Sequence, residues 1–211
     1  MKKLIYAFIL FSSSMMAQIN VVVHTGLDII SPSLAKSYQS TFLDNYWSNG
    51  INASFAVEYG LTRNIWIAPY FDYTYFRWDN YNYSGPMIPE EHIRSAQGEN
   101  SHIYRIMLEA RFLASREFII INAELYFTTG LGYTIEKIGR IQTIIDDMNG
   151  PSFVQESGLP NRSYWIHSVG VGTRANIVGP ISLDITAKYF TDYSERFYAS
   201  YNIGIAYSIG Q

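Results

Sequence analysis

The stretch Phe197 to Gln211, FYASYNIGIAYSIGQ, decides the fold. Its odd positions are Phe197, Ala199, Tyr201, Ile203, Ile205, Tyr207 and Ile209; its even positions are Tyr198, Ser200, Asn202, Gly204, Ala206 and Ser208. Successive side chains of a strand point to opposite faces. A strand here therefore has one large apolar face and one that is small and mostly polar. A soluble sheet would bury the large face, so the rest of the chain has to say which face is inside.

Seven earlier segments alternate in the same way: about 20–29, 51–60, 65–77, 102–113, 118–135, 164–177 and 181–193. In the fourth, Tyr104, Ile106, Leu108, Ala110 and Phe112 alternate with Arg105, Met107, Glu109 and Arg111. In the sixth, Val169, Val171, Ala175 and Ile177 oppose Ser168, Gly170, Gly172, Arg174 and Asn176. Period two over such lengths predicts strands. Three connections are tight, at Leu61 to Asn64, Ala114 to Glu117 and Val178 to Pro180, and they follow the second, fourth and sixth segments. The connections after the first, third and fifth are long, about 30–49, 78–101 and 136–163, whereas the one near Asp192 to Arg196 is short. Alternating tight turns and long polar loops are the asymmetry of an outer-membrane barrel.

Composition narrows the class. Only 16% of the 211 residues are charged, against about a quarter in an ordinary globular chain. Aromatic residues also make up 16%, with 18 Tyr. The chain has no Cys, which removes disulfide and thiolate chemistry. A net charge of −3 without a basic block gives no support to nucleic-acid binding. The start, MKKLIYAFILFSSSMMAQ, pairs Lys2 and Lys3 with a short apolar run and Ala17 before Gln18, the pattern of a cleaved secretory signal peptide over 1–17. Loss of its two lysines leaves 13 Lys and Arg against 18 Asp and Glu, so the mature domain, 18–211, carries about −5. No later apolar run approaches the roughly 18 residues of a membrane helix.

The polar faces are rich in Gly, Ser, Ala, Asn and Thr, with one or two charges per strand, which suits the narrow interior of an eight-stranded barrel. The apolar faces are Ile, Leu, Val, Phe and Tyr all round. Aromatics gather at strand ends: Trp66, Phe112, Phe118 and Tyr207 near the tight turns, and Tyr73, Tyr75, Trp78, Tyr104, Tyr133, Trp165, Tyr189, Tyr193 and Phe197 near the long loops. Two aromatic girdles around an apolar band are what a bilayer-facing wall requires. The inward charges are expected in two nearly balanced layers. Glu58, Arg111, Arg174 and Asp184 form the lower layer, and Asp72, Arg105, Glu109, Glu124 and Lys188 the upper. A register centred on Gly179 sets Arg174 opposite Asp184.

On this pattern the chain resembles the small OmpA/OmpX-type eight-stranded outer-membrane β-barrels over nearly all its mature length. The resemblance implies an all-β, antiparallel up-and-down transmembrane barrel, with short periplasmic turns, long extracellular loops and residence in the outer membrane. It departs from such barrels at the end, Ile209-Gly210-Gln211, where an aromatic residue is common and Tyr207 is the last one.

The candidate chemistry is thin. Lipid A deacylases, also eight-stranded barrels, use a His, a Ser and an acid. Here His167 and Ser168 are adjacent, so a strand sends them to opposite faces, out of the hydrogen-bond reach a base and nucleophile need. An interfacial His fits better. His24 and Asp28 share the inward face and admit a proton relay or metal pair, with a hydrogen-bonded lumen His as the simpler reading. His92 beside Glu90 and Glu91 is expected to be a solvated loop rather than an ion site. Gly130, Gly132, Gly170 and Gly172 lack a phosphate-loop context and read as relief of lumen crowding. No catalytic, metal or cofactor site is therefore expected. The expected role is non-enzymatic: membrane integrity, or adhesion-like surface contact through loops 30–49, 78–101 and 136–163, in a monomer surrounded by outer-membrane lipid. The alternatives are a narrow channel for ions or small apolar molecules and a lipid A-modifying enzyme.

Overall fold

The computed structural model describes residues 18–30, 47–78, 93–115, 123–145, 153–157, 161–192 and 197–209. The signal-peptide segment 1–17, His92 with Glu90 and Glu91, Phe118, Tyr193 and Gly210-Gln211 lie outside them.

Among the described residues eleven strands form: β1 (Ile19–Ile30), β2 (Trp47–Gly60), β3 (Ile65–Trp78), β4 (Ile93–Gly98), β5 (Ser101–Ser115), β6 (Ala123–Lys137), β7 (Ile141–Ile145), β8 (Phe153–Ser157), β9 (Arg162–Val178), β10 (Ile181–Asp192) and β11 (Phe197–Ile209). Eight of them close an antiparallel barrel in the order β1-β11-β10-β9-β6-β5-β3-β2. Each is the neighbour of the next barrel strand in sequence, and closure comes from β1, which faces β2 on one side and β11 on the other. Val23, for instance, lies between Phe55 and Ile205. Closure leaves no sheet edge, the condition for strands to cross hydrocarbon.

The tight turns have local causes. Gly179 takes a positive φ of 53°, where other residues pay a steric penalty, and it lets Val178 pair with Ile181. Between β2 and β3, the Thr62 hydroxyl accepts hydrogen bonds from the amides of Asn64 and Ile65 at 3.2 and 3.1 Å. The β5–β6 connection differs from the sequence expectation of Ala114 to Glu117. Leu113 faces Tyr126 and Ser115 faces Leu125, so β5 runs to Ser115 and the connection falls within 116–122, outside the described residues.

Burial is inverted relative to a soluble protein. Ile51, Ile106, Leu108 and Ile203 are exposed, while Asp72, Thr74, Arg105 and Ser200 are wholly buried. Among the described residues, more polar and charged than apolar side chains are buried. The large face therefore points out and the small face in, all round the wall.

The long connections are not only loops. Residues 93–98, 141–145 and 153–157 form a second, three-stranded sheet in the order β4-β7-β8. Gly98 faces Ile141 and His102 faces Lys137, a step of four on each strand, so the β5–β6 register runs unbroken into β4–β7. Glu136 faces Arg162 and Ile141 faces Ser157, a step of five on each, so β6–β9 continues in the same way into β7–β8. The outer sheet is thus the barrel wall of β5, β6 and β9 carried past the rim. The junction is held by the Glu99 amide donating to the Arg140 carbonyl at 2.9 Å and the Gly139 amide donating to the Ser101 hydroxyl at 2.9 Å.

The wall's orientation is testable by placing a charge on it. Leu108 sits mid-strand, facing Pro69 and Leu131. Leu108→Arg is expected to destabilise the barrel by about 2–4 kcal/mol in urea unfolding from lipid vesicles. Val154→Arg, on exposed β8 beyond the rim, should stay within about 0.5 kcal/mol of the parent. Gly179→Ala should cost about 1 kcal/mol or more in the same assay.

Candidate functional site: a filled lumen and an ordered outer sheet

At the short-turn end of the lumen, Arg174 joins two acids. Its Nη1 donates to Glu58 Oε2 at 2.7 Å and its Nε to Asp184 Oδ2 at 2.8 Å. Arg111 Nη1 donates to Glu58 Oε1 at 3.0 Å, and its guanidinium lies 3.5 Å from the Tyr126 ring centroid. The Tyr126 hydroxyl donates to Asp184 and Asn20 Nδ2 to Glu58. Asp184 stands directly opposite Arg174, as a hairpin centred on Gly179 requires. Tyr126 reaches this cluster because Gly172 faces it across β6–β9; a Cβ on Gly172 would occupy the Tyr126 ring position.

Higher up, Lys188 Nζ donates to Glu109 at 2.9 and 2.7 Å and lies 3.6 Å from the Tyr70 ring centroid. Above it, Arg105 Nη1 donates to Asp28 Oδ2 at 2.8 Å and to Asp72 Oδ1 at 2.5 Å. Thr74 and Asn52 also donate to Asp28, at 2.6 and 2.5 Å. Buried charges persist when paired and hydrogen-bonded, and each of these has both. At the outer end, the Tyr198 hydroxyl donates to Glu136 at 2.5 Å and Tyr164 donates to the same oxygen. Phe76, Ile103, Ile138, Ile141, Ile166 and Phe190 are buried there with Trp78 and Tyr164 packed against the cluster. The lumen is filled by salt bridges below and capped by apolar side chains above.

Several sequence expectations change. Glu124 belongs to the lower layer, not the upper: it faces Arg174 across β6–β9, its carboxylate lies 3.5 Å from Arg111, and 43% of its side chain is exposed at the mouth. The displaced β5–β6 connection lowers it. The remaining upper charges divide into two separate groups, Lys188–Glu109 and Arg105–Asp72. Trp66 and Trp78 are not lipid-facing. Both are even-numbered on β3, the parity of Asp72 and Thr74, so Trp66 lies against Gly60 at the short-turn end and Trp78 against Gly98 under the outer sheet. Tyr73, Tyr75, Tyr104, Phe112, Tyr133, Trp165, Tyr189 and Tyr207 do lie on the outward face, with Tyr73–Tyr104 ring centroids at 5.2 Å and Tyr133–Trp165 at 5.7 Å. Phe197 opens β11 facing Thr191; its side chain lies outside the described residues.

The remaining candidates resolve as geometry. Asp28 is taken up by Arg105 rather than by His24, whose Nδ1 lies 3.4 Å from the Ser54 hydroxyl and whose Nε2 lies 3.9 Å from Asp184. Ser168 is buried inside, 3.4 Å from Glu109, and His167 points outward. Among the described residues no group of three His, Asp or Glu side chains could hold a metal ion. Sequence reasoning missed Asp28 and Glu136 as members of the lumen charge network, and it missed the apolar cap. Parity placed Asp28, Phe76, Ile103, Ile166 and Phe190 inward, whereas Glu136, Ile138 and Ile141 fall in the connection 136–163, where the sequence reading has no strand.

No protein-family profile and no curated protein sequence matches the chain. Solved structures do. The eight-stranded closed barrel is shared with Neisserial surface protein A at TM-score 0.51 and 14% identity, over 90% of this chain and 97% of that one. It is shared with Ail, the attachment invasion locus protein of Yersinia pestis, crystallised with the heparin analogue sucrose octasulfate, at TM-score 0.51 and 14% identity, over 92% and 100% of the two chains. A major outer membrane protein from Thermus thermophilus matches at TM-score 0.50 and 11% identity, over 92% and 100%. The chain has the fold of a small eight-stranded outer-membrane β-barrel. Within that fold, the departures from a bare barrel are the charge-filled lumen and the sheet beyond the rim.

The Lys188–Glu109 pair offers a clean test of lumen energetics. Lys188→Met alone should cost about 3–5 kcal/mol, because Glu109 is left buried and uncompensated. Adding Glu109→Gln should recover most of that loss. Urea unfolding of the two variants from vesicles measures both.

Proposed function

We propose that this protein is an integral outer-membrane barrel whose role is surface contact of an adhesive kind, made by the outer sheet and the loops around it, without catalysis. The observation that carries the reading is the continuation of β5, β6 and β9 past the rim as β4, β7 and β8. A loop needed only to reconnect two strands does not require an ordered sheet; loops that carry binding are positioned by rigid scaffolds. On the face holding Gln142, a hydrogen bond of 2.9 Å joins it to Glu156, and Val154 is exposed on the same strand as Glu156. Neighbours with the same barrel include proteins named for the cell surface and for attachment.

The expected experiment replaces 139–159 by a short Gly-Ser turn. The variant should still fold, seen as a shift in gel migration between unheated and boiled samples, and cells displaying it should adhere to matrix-coated surfaces no better than cells lacking the protein. Undiminished adherence of a folded variant would sink the proposal. A channel role finds less support, since Arg105, Lys188 and Arg174 lie across the lumen in paired contacts. The parent protein should show no steady single-channel conductance in planar bilayers.

A further inference from the structure

The outward faces of the barrel strands are almost free of charge. Among the described residues of those faces there is no Asp or Glu, and the formal charges are Arg77 on β3 and Lys137 on β6. They do not lie at random around the wall. β3, β5 and β6 are consecutive strands, and His102 of β5 lies between them, facing Tyr75 on one side and Lys137 on the other. Arg77 lies two residues beyond Tyr75 on the same face. One rung nearer the middle, Tyr73 faces Tyr104. One rung further, Phe71 and Ile106 face each other, and both are exposed. Polarity therefore rises over three rungs from hydrocarbon to aromatic to cationic, on one sector of the outer rim.

The side chains of this sector are held to one another. The Tyr73 hydroxyl lies 2.8 Å from His102 Nδ1, the Tyr75 and His102 ring centroids are 5.6 Å apart, and Lys137 Nζ lies 5.5 Å from the Tyr104 centroid. Cations at a membrane surface attract anionic headgroups, and Tyr at this depth presents an apolar ring with a polar tip. Two tyrosine rings 5.2 Å apart and tilted 42° to each other, beside the Lys137 ammonium, match a headgroup that carries both a sugar ring and a phosphate. We propose that the sector formed by Tyr73, Tyr75, His102, Tyr104 and Lys137 is a lateral binding site for the phosphorylated sugar headgroup of an outer-leaflet glycolipid, the lipid A type. Lys137 contacts the phosphate, and the Tyr73–Tyr104 pair lies against the sugar. This rests on the membrane-spanning reading above, but not on the adhesive role. It gives the barrel a preferred lipid neighbour on one side, beneath the strands that extend into the outer sheet.

The test is native mass spectrometry of the full mature chain, folded in detergent and supplied in turn with lipid A, dephosphorylated lipid A and phosphatidylglycerol. The folded barrel should retain lipid A in preference to both others. Lys137→Gln should weaken retention about fivefold, the effect of one surface cation, and Lys137→Arg should restore it. Equal retention of the dephosphorylated lipid or of phosphatidylglycerol overturns the proposal, as does an unchanged Lys137→Gln variant. The heat-dependent gel shift is read on every sample. A chain without it would fail as a membrane barrel, whereas a shifted band with no lipid preference overturns this site alone.

Discussion

Closure of β1 onto β11 is the constraint on which the rest depends. In hydrocarbon no water is present to satisfy an exposed strand edge, so each backbone amide and carbonyl of the wall must find its partner in the wall. Ile19 to Ile30 pair with Tyr198 to Ile209 in continuous register. Once the ring is closed with eight strands, its interior is only wide enough for side chains. The outer face must then be apolar and the inner face must fill itself.

The filling follows a large-against-small rule. Tyr126 stands opposite Gly172, Lys188 opposite Gly170, Glu109 opposite Gly130 and Asp184 opposite Gly204. Each long side chain crosses the lumen over a neighbour that has none. The crossing chains carry charge, and charge in a narrow interior is tolerable only in pairs. The pairs are therefore long-range in sequence: Glu58 meets Arg174, Lys188 meets Glu109, and Arg105 meets Asp28. These contacts tie strands that are not neighbours in the wall and span the lumen from side to side.

Much of the strand pattern was legible because it is local. Alternation alone located all eight barrel strands to within a few residues at most ends, and the turn at Gly179 placed Arg174 opposite Asp184 without any tertiary information. The failures have separate physical causes. The apolar run from Phe118 carries no internal mark of where a turn ends, so the pattern sets Glu124 higher than its place opposite Arg174. Trp66 and Trp78 were assigned by composition, as aromatics near strand ends, when their even parity on β3 already sent them inward. The outer strands IRSAQG, IQTII and FVQES are short and mixed, and as isolated strings they do not favour a strand.

By itself the sequence determined the solvent. Eight large faces with no acid among them are compatible with hydrocarbon and with little else, and period two makes that legible one residue at a time. Apart from Arg174 with Asp184, which their hairpin sets opposite each other, tertiary structure alone decided which charges meet, because the partners of Glu58, Lys188 and Arg105 are set by strand stagger and tilt across the lumen rather than by spacing along the chain. It alone decided that the long connections continue the wall. β4, β7 and β8 form there because β5, β6 and β9 hold a register that they can extend.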